Sequence, residues 1–166
     1  MVKIRPIKKQ NLEILYKEMF DSAVPWLHGK NLAEQIKGNS VWLIAWQDKL
    51  PVGHIQITFK NSEVKKIRKQ IKRCPHLSTL YVNSKFRRKG IAKKIMKYAE
   101  KLVKKKGYKR VGLSVEKDNK FLNNLYEKLG YKDWKKGIVL DSWQELHNKK
   151  LKRISEKCNY LIKNLK

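Results

Sequence analysis

The spacing of apolar side chains divides the chain into predicted helices and strands. Two segments, 90–106 and 119–129, have the 3.6-residue period of an amphipathic helix, with Gly107 and Gly130 placed to end them. The apolar face of the first helix comprises Ile91, Ala92, Ile95, Met96, Ala99, Leu102 and Val103, and lysines occupy its other face. A further helical stripe covers 11–20, and a short helix is predicted from Leu32 to about Lys37.

Strands are predicted over Val2–Ile7, Val41–Gln47, Val52–Phe59, His76–Val82 and Tyr108–Val115, and two more between Tyr131 and Lys166 around a polar tip near Asn148. The second and third of these form a hairpin. Ala23–Asn31 contains Pro and Gly and is predicted to be a loop, and Asn61–Arg73 a long turn or short helix. The order β-α-α-β-β-β-α-β-α-β-β, without repeats or a linker, predicts one mixed α/β domain over residues 1–166.

Composition adds a strong positive charge to this picture. Lys and Arg number 41 against 14 acids, a formal net charge of +27. Such an excess indicates either an anionic partner or a solvated lysine surface, and the scattering of the lysines favours the surface. The chain has no apolar run of membrane-spanning length, and MVKIRPIKKQ lacks the apolar core of a signal peptide. Cys74 and Cys158 are far apart, as expected of reduced thiols in a cytoplasmic protein without a metal site.

One short stretch, YVNSKFRRKGIAKKIM, begins as a strand and ends as a basic helix. The start of a helix has backbone N–H groups without internal partners and a partial positive charge, and both attract phosphate. Gly90 removes a side chain where a ligand would approach the backbone. The sequence has neither GxxxxGK[ST] nor GxGxxG, so the expected ligand is a phosphate or pyrophosphate held by a different loop. Basic residues before a helix are also common on solvated surfaces.

Two motifs in order resemble those of the GNAT superfamily of acetyl-CoA-dependent acyltransferases. Arg87-x-x-Gly90-x-Ala92 behind the strand Leu80-Tyr81-Val82 matches the pattern [RQ]-x-x-G-x-[GA] after L-x-V. Asn119, seven residues before Tyr126 in YEKLGY, matches the second pattern. The strong match spans about 77–131. It implies an α/β fold (α+β in some schemes): a mostly antiparallel, twisted sheet flanked by helices, with a splayed central strand pair.

The resemblance also implies a cofactor site for acetyl-CoA. Pantetheine would bind the main chain of the strand that carries Leu80, Tyr81 and Val82. The pyrophosphate would lie against the backbone that runs from Arg88 to Lys93. The residues implied at the phosphates are Arg87, Arg88, Lys89, Gly90, Ile91, Ala92 and Lys93. Asn119 and Leu122 would line the other side of the cofactor, although Leu122 departs from the small residue usual in the family.

By the same resemblance, Tyr126 is the general acid that protonates the departing thiolate, and it also fits the apolar stripe of its helix as a core residue. A family acid on the central strand is replaced here by His76, which could act as the base directly or through water. Glu116 is the weaker candidate for the base. A backbone N–H at Leu80 or Tyr81 would stabilise the oxyanion.

The expected partner is a small-molecule or peptide amine, contacted by residues of about 10–40 and 132–160. No membrane partner is expected, and a homodimer is compatible with the sequence, which leaves the oligomeric state open. Two alternatives belong to other classes of protein. One is a module that binds coenzyme A without catalysis. The other is a basic nucleic-acid-binding protein, which the scattered lysines and the absence of a recognition motif make the weaker reading.

Overall fold

The computed structural model describes residues 1–19, 25–147 and 150–166, without the side chains of 25–28, 144–147, 150 and 151. Within these ranges eight strands form one sheet: β1 (Val2–Pro6), β2 (Ser40–Gln47), β3 (Leu50–Thr58), β4 (His76–Val82), β5 (Arg110–Glu116), β6 (Lys132–Asp133), β7 (Val139–His147) and β8 (Lys150–Asn164). The α-helices are α1 (Leu12–Glu18), α2 (Pro25–Ile36), α3 (Lys65–Gln70), α4 (Ile91–Lys105) and α5 (Lys120–Lys128).

Strand order in the sheet is β1-β2-β3-β4-β5-β8-β6, and β7 also pairs with β8. The pairs β1–β2, β2–β3, β3–β4, β5–β8, β6–β8 and β7–β8 are antiparallel, whereas β4 and β5 run parallel. The long strand β8 pairs along one edge with β5, and along the other with β6 and β7. Because β8 lies between these strands, it connects β6 and β7 to the rest of the sheet.

The two faces of the sheet are covered differently. Helices α4 and α5 pack on one face, where Ile95, Met96 and Tyr126 join the inward side chains of the central strands in the main core. On the opposite face, Leu15 and Met19 of the α1 region cover Trp42 and its neighbours on β2. A third cluster on that face unites α3 with β7 and β8 through Ile67, Val139 and Tyr160. None of the helices in the described part of the chain is long and apolar enough to span a membrane.

The structure differs from the sequence predictions mainly before β2. The predicted loop Ala23–Asn31 is wrong from residue 25 onward, because helix α2 begins at Pro25 and continues to Ile36. Proline is well suited to the first position of a helix, where its missing N–H would have no partner. Ala23 and Val24 lie outside the described residues. The end of the chain contains the two predicted strands and the additional short strand β6, while the predicted tip at Asn148 lies outside the described residues.

Candidate active site

Strands β4 and β5 separate soon after they meet, which opens a fork in the centre of the sheet. They pair only at His76 with Gly112 and at Leu77 with Leu113. Beyond these pairs β4 continues along β3 as far as Val82, and β5 continues along β8 as far as Glu116. Each of the two strands therefore turns an edge with unpaired backbone groups towards the gap, and such groups need hydrogen-bond partners.

A bulge in β4 lies at the mouth of this fork. Gln56 pairs with Ser78 and His54 with Tyr81, so that two residues of β4, Thr79 and Leu80, face one residue of β3. Thr79 has a φ of +52°, a conformation that is a genuine outlier for a β-branched residue and costs about 1–3 kcal/mol. The strained bulge re-aims the backbone at the point where the resemblance places pantetheine.

A cavity of about 40 Å³ lies in the fork. It is lined by Ile55, Leu77, Ser78, Thr79, Leu80, Met96, Leu113, Ser114 and Tyr126. Tyr126 projects from α5, is 7% exposed, and packs edge-on against Tyr131 with ring centroids 5.9 Å apart. Burial raises the pKa of Tyr126 to about 12, so its phenol keeps its proton throughout the physiological range. The phenol and the bulged backbone of β4 thus line the same small space.

Gly90 stands at the start of α4 in the left-handed conformation, with φ of +73°. Among the residues that the structure describes, a Cβ at this position would meet no atom within 4 Å, and no side chain caps the helix. The first helical hydrogen bond runs from the Lys94 N–H to the Gly90 carbonyl, at 3.1 Å. The N–H groups of residues 91–93 therefore precede the first helical hydrogen bond and have no partner within the helix. This geometry is suited to binding an anion.

The basic residues before Gly90 are exposed, and they do not all point outward. Arg87 folds back onto β4, where its Nε donates to the Val82 carbonyl at 2.9 Å and its guanidinium lies 6.0 Å from the Tyr81 ring centroid. Arg88 has a φ of +60°, and Lys89 lies 5.4 Å from the Phe86 ring centroid. Arg87 is thus tied to the end of β4, which links the loop before α4 to the fork.

The start of α5 brings two further predicted residues to this region. Asn119 caps the helix, with its Oδ1 accepting from the Leu122 N–H at 3.0 Å. Its amide nitrogen donates to no described residue. Leu122 packs against the main core. Capping uses one lone pair of the Asn119 oxygen, and both N–H groups of its amide remain available to a ligand.

His76 does not line the cavity. It lies at the closed end of the fork, where its ring stacks in parallel on Tyr160 at 5.9 Å between centroids. Burial lowers its pKa to about 4, and the charge of Asp141 opposes that shift. His76 is therefore neutral at pH 7 and only weakly basic. The second candidate for the base, Glu116, is exposed at the end of β5.

Sequence reasoning missed several residues that shape the fork. Ser78, Thr79 and Ser114 line it, and no local pattern marks them, because strand divergence is a tertiary feature. Gly53 was detectable, since a glycine inside an apolar strand indicates a close backbone approach. A Cβ on Gly53 would lie 2.7 Å from the Tyr81 carbonyl oxygen. Gly53 thus leaves room for the bulged strand.

The structure is a mixed α/β domain with a fork in the centre of its sheet, and comparison with known proteins identifies its family. The model of the Acetyltransferase (GNAT) family matches residues 9–131. The chain belongs to the GNAT family. No curated protein sequence is significantly similar to it.

Solved structures with the same fold are similar over almost their whole length. PaiA N-acetyltransferase from Thermoplasma acidophilum, in complex with coenzyme A, is 19% identical, with a TM-score of 0.67 and 99% of each chain covered. Ribosomal-protein-S18-alanine N-acetyltransferase from Escherichia coli is 15% identical, with a TM-score of 0.68 over 99% of this chain and 94% of that one. N-acetyltransferase from Staphylococcus aureus Mu50 is 14% identical, with a TM-score of 0.70 over 100% and 99%. At these low sequence identities, the structural similarity shows a shared fold.

Proposed function

We propose that this protein transfers the acetyl group of acetyl-CoA to a primary amine by direct attack, with Tyr126 as general acid. The observation that carries the proposal is the shared cavity of the fork, which is lined by the Tyr126 side chain and by the bulged residues Thr79 and Leu80. A buried proton donor beside unpaired backbone groups is the arrangement that thioester aminolysis needs.

The residues around the fork offer hydrogen-bonding and charged groups that would bind the successive parts of acetyl-CoA. The pantetheine amides would pair with the edge of β4 that faces the gap at Leu80, as an added strand does, next to Val82, whose carbonyl already accepts from Arg87 Nε. The pyrophosphate would accept from the N–H groups at the start of α4, with Arg88 and Lys89 adding positive charge. Asn119 would donate its free amide N–H groups from the opposite side. Acetyl-CoA supplies the activated acyl group as a thioester, and a main-chain N–H at Leu80 or Tyr81 would stabilise the carbonyl oxygen as it gains charge.

Tyr126 holds its proton firmly until a thiolate departs. A pKa of about 12 for the phenol against about 8.5 for a thiol makes the transfer uphill by about 3.5 pKa units, or about 5 kcal/mol. The transfer therefore follows cleavage of the carbon–sulfur bond. Because the phenol does not ionise below about pH 11, activity should keep rising with pH as the acceptor amine loses its proton.

His76 suits a late role as proton acceptor. A histidine with a pKa of about 4 cannot remove a proton from a free ammonium near 10.4 without a cost of about 9 kcal/mol. Once the amine has attacked, its nitrogen bears a positive charge next to an acyl carbon and is a much stronger acid. We therefore assign His76 to the removal of that proton, through water, with the bulk solution supplying the neutral amine.

The test begins with calorimetry of acetyl-CoA binding at moderate and high salt, with ATP as a control polyanion. We expect saturable binding that exceeds that of ATP and survives high salt. Release of free thiol is then followed with a panel of primary amines for wild type and Tyr126→Phe. Loss of the phenolic proton should lower kcat about 100-fold or more, with acetyl-CoA affinity retained. Unchanged turnover in Tyr126→Phe would remove the proposed role, and binding without transfer to any amine would favour a non-catalytic coenzyme A module.

A further inference from the structure

Another cavity, of about 460 Å³, lies between the later turns of α4 and the end of β8. Its volume falls within the range of about 300–1,000 Å³ that is typical of small-molecule sites. The charged residues that line it are Lys97, Glu100, Lys101, Lys104, Lys163 and Lys166. Lysines therefore dominate the described lining, and we call this space the lysine cavity.

The lysine cavity is separate from the proposed cofactor site. A helix rises about 1.5 Å per residue, so Lys97, the nearest of its lysines on α4, lies about 10 Å along the axis from Gly90. Asn164 also lines the cavity, and it pairs with Arg110 at the start of β5. The fork opens towards the other end of β5, beyond its two pairs with β4. The lysine cavity therefore lies at the closed end of the central strand pair.

The acid among these lysines is already neutralised. Glu100 lies three residues after Lys97 and four before Lys104, and residues at both spacings can form ion pairs on a helix. Its carboxylate is instead buried, with 8% of the residue exposed. One oxygen accepts from Lys163 Nζ at 2.7 Å, and the other accepts from the Tyr131 hydroxyl at 3.1 Å. Glu100 thus balances the charge of Lys163 and leaves the lysines of α4 without an acid.

Lys97, Lys101 and Lys104 form a row of uncompensated charge. All three are exposed, and none forms a salt bridge with a residue that the structure describes. Their spacings of four and three residues place them on one side of α4, where like charges oppose helix formation. Lys104 lies in the last turn, where a positive charge interacts favourably with the helix dipole, but Lys97 and Lys101 lie before that turn. A bound anion would remove the repulsion along the row.

We propose that the lysine cavity binds a small molecule that carries several phosphate groups in a chain. A lysine ammonium is a compact charge with three donors and is a common phosphate ligand. Successive lysines of the row lie about 5–6 Å apart at their Cβ atoms, so flexible side chains from both sides can converge on one polyphosphate. Nucleic acid usually needs a longer groove with aromatic side chains for the bases, and none of the described residues that line the cavity is aromatic. The inference is independent of the proposed function.

The test is calorimetric titration with inorganic tripolyphosphate at about 0.15 M salt, where long-range attraction is screened. The full chain is titrated both free and saturated with acetyl-CoA, and we expect saturable binding in both. The variant Lys97→Gln/Lys101→Gln/Lys104→Gln should weaken this binding at least about tenfold. The matched control Lys65→Gln/Lys69→Gln/Lys72→Gln removes three exposed positive charges in and near α3, and it should change the affinity less than about twofold. Thermal denaturation checks that both variants fold.

Equal loss of affinity in the two triple variants would show that net charge alone attracts the anion, and would overturn the inference. So would binding to the free chain that the α4 substitutions leave unchanged, which would place the anion elsewhere. An RNA of about ten nucleotides that binds more tightly than tripolyphosphate, through the same lysines, would assign this surface to nucleic acid instead. Failure of acetyl-CoA to bind would contradict the proposed function alone, because titration of the free chain would still decide whether the lysine cavity binds polyphosphate.

Discussion

The backbone conformation of Gly90 explains why a glycine interrupts the basic run before α4. Its left-handed φ of +73° is costly for other residues, and among the described residues no atom lies within 4 Å of the place where a side chain would begin. Gly107, just beyond the other end of α4, has a φ of +83° and the same empty surroundings. Both glycines therefore adopt a left-handed φ, but only Gly90 lies at the proposed phosphate site.

This pair allows a controlled test of the proposed phosphate site. Gly90→Ala and Gly107→Ala should each lower the free energy of unfolding by about 1–2 kcal/mol, because both force alanine into the left-handed region. Only Gly90→Ala should weaken binding of acetyl-CoA, as measured by calorimetry. Equal affinities in the two variants would show that the start of α4 does not hold the cofactor.

His76 should make stability depend on pH. Its pKa is lowered from the ordinary 6.5 to about 4, so between these values the unfolded chain binds a proton that the folded chain does not. The free energy of unfolding should therefore fall as the pH decreases from about 6.5 to about 4, by up to about 3 kcal/mol. Urea denaturation of wild type and His76→Gln across this pH range gives the free energy of unfolding of each protein, and the difference between the two values measures the contribution of His76. A difference that does not change with pH would contradict a buried, neutral His76.

At the scale of elements, the fork depends on the close contact of β3 with the bulged strand β4. Gly53→Ala would place a Cβ 2.7 Å from the Tyr81 carbonyl oxygen and 3.0 Å from Cδ1 of Ile95. We expect a loss of about 1–3 kcal/mol in unfolding free energy, with weaker acetyl-CoA binding, because β4 must shift. Gly29→Ala is the control. Among the described residues its new Cβ meets the Tyr16 hydroxyl alone, at 3.7 Å, and alanine favours the helix by about 0.5–1 kcal/mol. Chemical denaturation should give opposite signs for the two substitutions.

Local patterns predicted those elements whose apolar side chains repeat clearly. His76–Val82 was predicted with the bounds observed, and the helix predicted over 90–106 extends from Ile91 to Lys105. Asp118 and Asn119 are both residue types that cap helices, and the structure uses Asn119. The first half of helix α2 was missed because Pro25 and Gly29 normally indicate a loop, and tertiary contacts outweigh that tendency. Its second half agrees with the short helix predicted from Leu32. The separation of β4 from β5 and the positive φ of Thr79 depend on residues distant in sequence, so periodicity carries no sign of them.

For the whole molecule, the excess of positive charge should oppose folding at low ionic strength. With a net charge of +27, self-repulsion extends over about 30 Å at 0.01 M salt but only about 8 Å at 0.15 M. Raising the salt concentration between these values should increase Tm by at least about 3 °C, the shift that roughly 1 kcal/mol produces in a chain of this length. Scanning calorimetry in sodium chloride and in potassium chloride should give the same rise. A Tm independent of salt would mean that the charges are too dispersed to repel effectively.

The position of β8 has a consequence for synthesis on the ribosome. Arg110 on β5 pairs with Asn164 on β8, so at about 5–20 residues per second the nascent strand waits about 3–10 s for its partner. During that interval both edges of β5 lack their full pairing, and an exposed edge can recruit a strand from another chain. The lysines distributed over every segment would then reduce aggregation of the nascent protein, because neighbouring nascent chains repel one another before either sheet is complete.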